Sequence, residues 1–241
     1  MTLEAYDAHH VGHGHGRAEP LVIPDNRLVD KDAVLVPPHY KDDVAGVLIP
    51  RGVILDRIER LAADIRKFYG ASESIHIVCV LKGSRGFFGE LVRVLNTMRV
   101  FGGDSAAASE PPFFEYYVRL RKDPNNPTHV HAISDDLSPL INKHVLVVED
   151  MINTGLTLSR FCRQLLDMKV KSVRVAALLE RRKGVSSMAS AARPTVSTFK
   201  ADFVGFSVPD RFIVGFCLDH HEKYRDLQHV AVLTQEAKLR D

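Results

Sequence analysis

Apolar positions along the chain recur in two patterns. Between residues 53 and 69 they return every three or four positions, which predicts an amphipathic helix. Similar spacing predicts helices over residues 87–98 and 156–168. Continuous apolar runs predict buried strands over residues 75–81, 113–120, 145–148, 173–179, 203–208 and 212–218. The alternation of strands and helices predicts an α/β fold, in which helices flank both faces of a mostly parallel sheet.

The N-terminal region differs in composition from the rest of the chain. Four of the twelve histidines and three glycines fall within residues 9–16. This stretch has two interpretations, a metal-binding tail or a flexible polar arm. We favour the flexible arm, because so many glycines oppose one fixed ligand geometry. Residues 1–33 are therefore assigned to a flexible His/Gly-rich arm and lead-in, and residues 34–241 to one functional domain.

The most informative segment follows the apolar run at 145–148. In parallel sheets ligands bind beyond the carboxyl ends of the strands, and this run ends at Glu149 and Asp150. Two adjacent carboxylates can hold sugar hydroxyls, or Mg²⁺ through its waters. Thr154 and Thr157 stand where the next helix begins, so their hydroxyls and the backbone N–H groups form a cradle for a phosphate monoester. The segment therefore predicts a sugar site beside a phosphate site.

Composition excludes several classes of function. The 32 basic and 30 acidic residues give a net charge of +2, which disfavours a nucleic-acid-binding protein, including a regulatory RNA-binding one. Three widely spaced cysteines form no CxxC pair and fit a reducing compartment. The chain has neither a signal-peptide pattern nor an apolar run of about 20 residues. We therefore expect a cytoplasmic protein with neither a nucleic-acid nor a membrane partner.

The acidic and phosphate-binding segment resembles the phosphoribosyl-diphosphate signature of type I phosphoribosyltransferases. Other segments resemble the hypoxanthine-guanine(-xanthine) branch of that family, and the likeness extends from Val34 to Lys238. These segments are 48–62, 80–88, 202–206, 212–215, 219–222 and 224–227. Residues 36–38, 113–115 and 134–138 look most similar to the versions from apicomplexan parasites, some of which also accept xanthine.

The resemblance implies a fold, a reaction and an assembly. The fold is that of the type I phosphoribosyltransferases, with a small hood made from N- and C-terminal segments. The reaction joins hypoxanthine or guanine to 5-phosphoribosyl-1-diphosphate, and it yields IMP or GMP and pyrophosphate in purine salvage. Mg²⁺ is the implied cofactor. The implied assembly is a homodimer or homotetramer.

The resemblance also implies which residues form the site. Glu149 and Asp150 contact the ribose hydroxyls and, with Asp210, bind metal. Phe203 stacks on the purine, and Val204 reads its edge through backbone groups, beside Arg181 and Asp210. The implied phosphoribosyl and phosphate site comprises Lys82, Gly83, Glu149, Asp150, Met151, Ile152, Asn153, Thr154, Gly155, Leu156, Thr157 and Arg225. The Leu81–Lys82 peptide bond is expected to be cis.

The sequence departs from the family pattern at three places. Asn153 stands where the family has the aspartate that takes a proton from purine N7, and an amide cannot accept that proton. Arg181 replaces a lysine that donates to the purine 6-oxo group. The Ser-Tyr pair of the catalytic lid is missing after Lys122. We therefore expect slow turnover, with a catalytically impaired nucleotide-binding homologue as the alternative.

Overall fold

The computed structural model describes residues 19–70, 74–101, 113–122, 130–134, 136–182 and 199–240. The strands are β1 Leu21–Val22, β2 Val44–Ile49, β3 Ile75–Val80, β4 Phe114–Lys122, β5 Val130–Ser134, β6 His144–Ile152, β7 Ser172–Arg181, β8 Phe203–Val208, β9 Ile213–Val214 and β10 Val230–Leu233. The α-helices are α1 Arg51–Tyr69, α2 Arg85–Phe101, α3 Leu156–Asp167 and α4 Gln235–Lys238. Short 3-10 helices cover Pro38–Tyr40 and Ser138–Leu140.

A mostly parallel sheet forms the centre of the described chain, as the alternation of strands and helices predicts. Its strand order is β1-β8-β7-β6-β3-β4-β5, and within the described ranges its pairings are parallel except for β4 with β5. One face packs against α1 and α2, whose buried positions include Ile58 and Leu91. The other face packs against α3 through Phe161 and Leu165. Because the central strands are buried on both faces, they read as continuous apolar runs.

A second sheet combines segments from the two ends of the domain. Its order is β2-β10-β9, and both pairings are antiparallel. The expected hood from N- and C-terminal segments stays a prediction, and this sheet is the part of the fold that it concerns. Part of the lead-in also packs on the fold, because Leu21 and Val22 pair with β8 and Val29 bridges to Val47. Residues 1–18, which contain the His/Gly-rich stretch, lie outside the described residues, so the flexible arm stays a prediction.

Two predicted elements differ from the observed ones. β6 extends to Ile152, so the acidic pair lies in the last residues of the strand and not in the loop after it. The predicted strand over 212–218 is wrong beyond Val214, because Phe216 and Cys217 have φ angles of 48° and 73°, which turn the chain. Within the described ranges, no helix combines the length and the apolarity that a bilayer crossing requires.

Candidate active site

The acidic pair lies where the central strand β6 ends. Glu149 pairs in register with Ala177 of β7, and both carboxylates are half-buried. Burial, and then the neighbouring charge of Asp150, raise the pKa of Glu149 well above its usual value. Burial also raises the pKa of Asp150, although the Met151 N–H donates to its Oδ1 at 2.6 Å. Burial therefore opposes the ionised form of both carboxylates.

The loop after β3 approaches this pair at Gly83. The Leu81–Lys82 peptide bond that opens the loop is cis, as expected. A Cβ atom placed on Gly83 would lie 1.5 Å from Oδ2 of Asp150, which is far inside any contact distance. Glycine is therefore required here, because only a residue without a side chain lets the loop backbone reach the carboxylate.

The third component of the candidate site is the turn between β6 and α3, which we call the phosphate turn. Gly155 is the N-cap of α3 and has a φ angle of 68°, a left-handed conformation that favours glycine. A side chain at this position would also collide with Phe199 at 2.9 Å. The first N–H groups of a helix have no partner within the helix, and here the Leu156 N–H donates to Oγ1 of Thr154 at 3.5 Å. Thr154 is exposed and Thr157 is half-buried, so the turn presents hydroxyls and N–H groups suited to a phosphate.

A charged network joins the Lys82 loop to residues 217–225. Nζ of Lys82 lies 3.0 Å from Oε2 of Glu222, and the same oxygen accepts a hydrogen bond from Nε of Arg225 at 3.2 Å. These hydrogen bonds lower the pKa of Glu222. Arg225 also donates to the carbonyl of Cys217 at 2.8 Å and pairs with Asp219 at 2.8 Å. Two basic side chains are therefore held next to the Gly83–Asp150 contact.

This geometry has counterparts among known proteins. The family model for the phosphoribosyl transferase domain matches residues 51–221. The chain is 42% identical to hypoxanthine-guanine-xanthine phosphoribosyltransferase of Plasmodium falciparum over 229 residues, which cover 94% of each protein. It is 36% identical to hypoxanthine-guanine phosphoribosyltransferase of Homo sapiens over 228 residues, or 93% of this chain and 97% of that protein.

This chain belongs to the hypoxanthine-guanine phosphoribosyltransferase family. The crystal structure of the Schistosoma mansoni member in complex with IMP superimposes with a TM-score of 0.71 at 33% identity, covering 92% of this chain and 98% of that one. The expected family and fold are therefore confirmed. The higher identity to the Plasmodium protein than to the human one agrees with the apicomplexan likeness. The relatives bear transferase names, which favours an enzyme over the binding homologue.

The structure does not bring Phe203 and Val204 to the strand ends, so their assignment to the purine pocket is wrong. Phe203 begins β8, is 6% exposed and packs edge to face on Phe68 in the core. Val204 is fully buried, and its carbonyl already accepts a hydrogen bond from Arg57 at 3.0 Å. Both residues lie near the amino end of a parallel strand, whereas the site lies at the carboxyl ends.

Phe212 lies in the family-like segment 212–215, but the sequence analysis assigned it no individual role. It lies just before β9, is 39% exposed and contacts His220 edge to face at 4.9 Å. A similar motif could have drawn attention to it, because a Phe followed by apolar residues and Gly occurs at both 203–206 and 212–216. Only the observed direction of β8 distinguishes the two motifs, because Phe203 begins this strand and Phe212 follows its carboxyl end.

Arg181 and Asp210 form a pair at the end of β7. Nη1 of Arg181 lies 3.6 Å from Oδ1 of Asp210, and Nη2 lies 3.6 Å from Sδ of Met151. Arg181 is thereby held beside the strand that carries the acidic pair. Within the described ranges, no three His, Cys, Asp or Glu side chains are arranged to hold a metal ion. The metal role of Asp210 stays a prediction, and the structure pairs its carboxylate with Arg181.

Three further residues of the predicted phosphoribosyl site, Asn153, Leu156 and Ile152, differ in what they offer to a ligand. Asn153 is exposed in the loop that leads to the phosphate turn, and Leu156 opens α3. Ile152 is 4% exposed and packs in the core beneath the loop, so only its backbone is available to a ligand. The missing Ser-Tyr of the lid concerns residues 123–129, which lie outside the described residues.

Proposed function

We propose that this chain transfers the phosphoribosyl group of 5-phosphoribosyl-1-diphosphate to a 6-oxopurine, hypoxanthine or guanine, in purine salvage. One observation carries this proposal. The acidic pair at the end of β6, the glycine loop after β3 and the Thr-Gly turn before α3 share one edge of the sheet. Such an edge offers separate sites for ribose hydroxyls, a diphosphate and a 5′-phosphate.

Each part of the substrate has a matching group. The hydroxyls of Thr154 and Thr157 and the first N–H groups of α3 hold the 5′-phosphate. Glu149 and Asp150 accept hydrogen bonds from the ribose hydroxyls. The Lys82 loop lies against Asp150 and faces the diphosphate, together with Arg225. These contacts fix the anomeric carbon beside the purine and lower the entropic cost of the reaction.

The donor set also fits Mg²⁺. Carboxylate oxygens are ligands that this ion prefers, and the raised pKa values of Glu149 and Asp150 indicate that a cation would stabilise their ionised forms. Asp219 is a further carboxylate in the network with Arg225, and we assign it the second metal role in place of Asp210. When bound, Mg²⁺ neutralises charge on the departing diphosphate.

The purine site is assigned to Phe212 and Arg181. The exposed ring of Phe212 offers a stacking surface, and the guanidinium of Arg181 offers N–H donors to oxygen and nitrogen atoms on the purine edge. During transfer N9 bonds to the anomeric carbon, the bond from that carbon to the diphosphate breaks, and the N7 proton leaves. Asn153 accepts a hydrogen bond from N7–H but cannot take the proton, so solvent must receive it. Turnover is therefore slow.

The direct test is GMP formation from guanine and 5-phosphoribosyl-1-diphosphate with Mg²⁺, followed by chromatography. We expect measurable product and about a fivefold or larger rise in KM for guanine in Phe212→Ala, because base stacking contributes about 1–3 kcal/mol. Phe68→Ala is the matched control, since Phe68 and Phe212 are equally exposed at 38% and 39%. Complete absence of GMP in the wild type would overturn the proposal. Equal effects of the two variants would overturn the stacking role.

A further inference from the structure

A second cleft lies beside the loop that follows Leu218. Residues of this loop that line the cleft are His220, His221, Lys223 and Tyr224, and none of them belongs to the charged network of Lys82, Asp219, Glu222 and Arg225. The volume of the cleft is about 180 Å³. Imidazoles of His39, His220 and His221 line it, together with Lys223 and Arg240. These residues come from the first 3-10 helix, the loop after β9 and the C-terminal region beyond α4. None of them is assigned to the proposed transfer site, although the His220 ring contacts Phe212 at 4.9 Å.

The lining favours an anion. Among the residues that the structure describes, Asp43 is the one carboxylate that lines this cleft, and it is already engaged. Its Oδ1 accepts a hydrogen bond from Arg240 at 2.6 Å, and its Oδ2 accepts one from the Tyr224 hydroxyl at 2.8 Å. The other ionisable groups, apart from the two tyrosines, are three imidazoles, each with at least one N–H donor, the Lys223 ammonium and the Arg240 guanidinium. A cleft lined by imidazole, ammonium and guanidinium groups provides charge-assisted hydrogen bonds to a negative ligand.

Two observations narrow the ligand further. The Nε2 atom of His220 is removed from water and has no hydrogen-bond partner among the described residues, so a ligand that bonds to it would be favoured. The cleft volume equals about six water molecules, which is enough for a phosphate group.

The walls of the cleft are fixed by a tyrosine pair. The Tyr40 hydroxyl donates to Asp226 at 2.9 Å and accepts a hydrogen bond from the Tyr224 N–H at 3.3 Å. The two rings also contact each other, with centroids 4.7 Å apart. A ligand would therefore meet walls that are already in place, which lowers the entropic cost of binding.

We propose that this cleft is a binding site for a phosphate-type dianion, separate from the transfer site. The tetrahedral dianion offers several acceptor oxygens to donors that arrive from three segments of the chain. The proposal does not depend on the proposed transferase reaction, because no residue is shared between the two sites.

The test is NMR of the histidine C2–H resonances in the full chain, titrated with inorganic phosphate and separately with glycerol 3-phosphate. Resonances of His39 and His221 are expected to shift in a saturable manner, and they report on the cleft even when phosphate also occupies the Thr154 turn. Saturable shifts with inorganic phosphate, with or without shifts from glycerol 3-phosphate, support the site. The comparison of the two ligands shows whether the site accepts only the free ion or also a phosphate ester.

Variants complete the test. Lys223→Gln is expected to weaken phosphate binding by about tenfold, because it removes a charge-assisted contact. Lys67→Gln is the matched control, since it removes an exposed lysine of α1 that does not line the cleft. The absence of saturable shifts at His39 and His221 would overturn the proposal. Equal affinity in Lys223→Gln and Lys67→Gln would also overturn it.

Discussion

Gly83→Ala tests how closely the loop after β3 must approach the acidic pair. A Cβ atom at this position would lie 1.5 Å from Oδ2 and 2.7 Å from Cγ of Asp150. Carbon and oxygen atoms in ordinary contact are about 3.5 Å apart, so the carboxylate must move by roughly 2 Å. The Asp150 side chain can rotate, and its displacement relieves the collision without unfolding the loop.

The consequence is a larger loss of binding than of stability. Overpacking of this kind costs about 1–3 kcal/mol, and the rotation of Asp150 keeps the cost near the lower limit. The displaced carboxylate loses its hydrogen bonds to the ribose hydroxyls, each worth about 1.5–3 kcal/mol when one partner is charged. One such bond corresponds to an affinity about 10 to 150 times weaker.

Calorimetric titration with 5-phosphoribosyl-1-diphosphate and Mg²⁺ measures this loss, and thermal unfolding measures stability. Gly89→Ala is the matched control, because a Cβ atom there meets nothing within 4 Å and the residue lies inside α2. That variant should bind normally and gain up to about 1 kcal/mol of stability. Affinity of Gly83→Ala equal to that of the wild type would refute the role given to the Gly83–Asp150 contact.

Three further predictions concern stability and reactivity. Burial lowers the pKa of His76, so the unfolded chain binds more protons below about pH 6.5 and stability decreases as the pH decreases. His76→Phe keeps the stack on Phe114 but removes the titrating imidazole. Its melting temperature should therefore fall by less than that of the wild type when the pH decreases from about 7.5 to 5.5. Burial raises the pKa of Cys79 to about 12, so a thiol reagent at about pH 8 should label Cys217 and spare Cys79, which mass spectrometry would show. Arg57→Ala removes hydrogen bonds to three backbone carbonyls and should cost about 1–3 kcal/mol in urea denaturation.

Local sequence patterns predicted much of the fold, and they predicted the acidic pair and the phosphate turn of the site. The periodicity of α1 and the continuous runs of β3 and β7 agree with the structure because each run is buried on a face that its own spacing defines. The phosphate turn was equally visible, since Glu149 to Thr157 are neighbours in sequence. That segment carried the resemblance to the type I phosphoribosyltransferases, whereas the α/β fold was predicted from the alternation of strands and helices.

The other half of the site depends on contacts between distant residues. Lys82 and Glu222 are 140 positions apart, and no spacing rule relates them. Phe203 and Phe212 begin similar motifs, but the first starts a buried strand and the second follows a strand's carboxyl end. Asp210 and Asp219 likewise differ only in their partners, Arg181 and Arg225. Such distinctions arise from strand direction and packing, which local sequence does not specify.

The central claim is that the site retains its phosphate and sugar contacts while it lacks the base for N7. Steady-state GMP formation in Asn153→Asp, compared with the wild type and Asn153→Ala, measures this most directly. We predict that the aspartate raises kcat by about 10²-fold or more, since general-base catalysis contributes about 10²–10⁴-fold. KM for 5-phosphoribosyl-1-diphosphate should stay within about twofold, because uniform binding is unchanged. A kcat for Asn153→Asp no higher than that of the wild type would contradict the account.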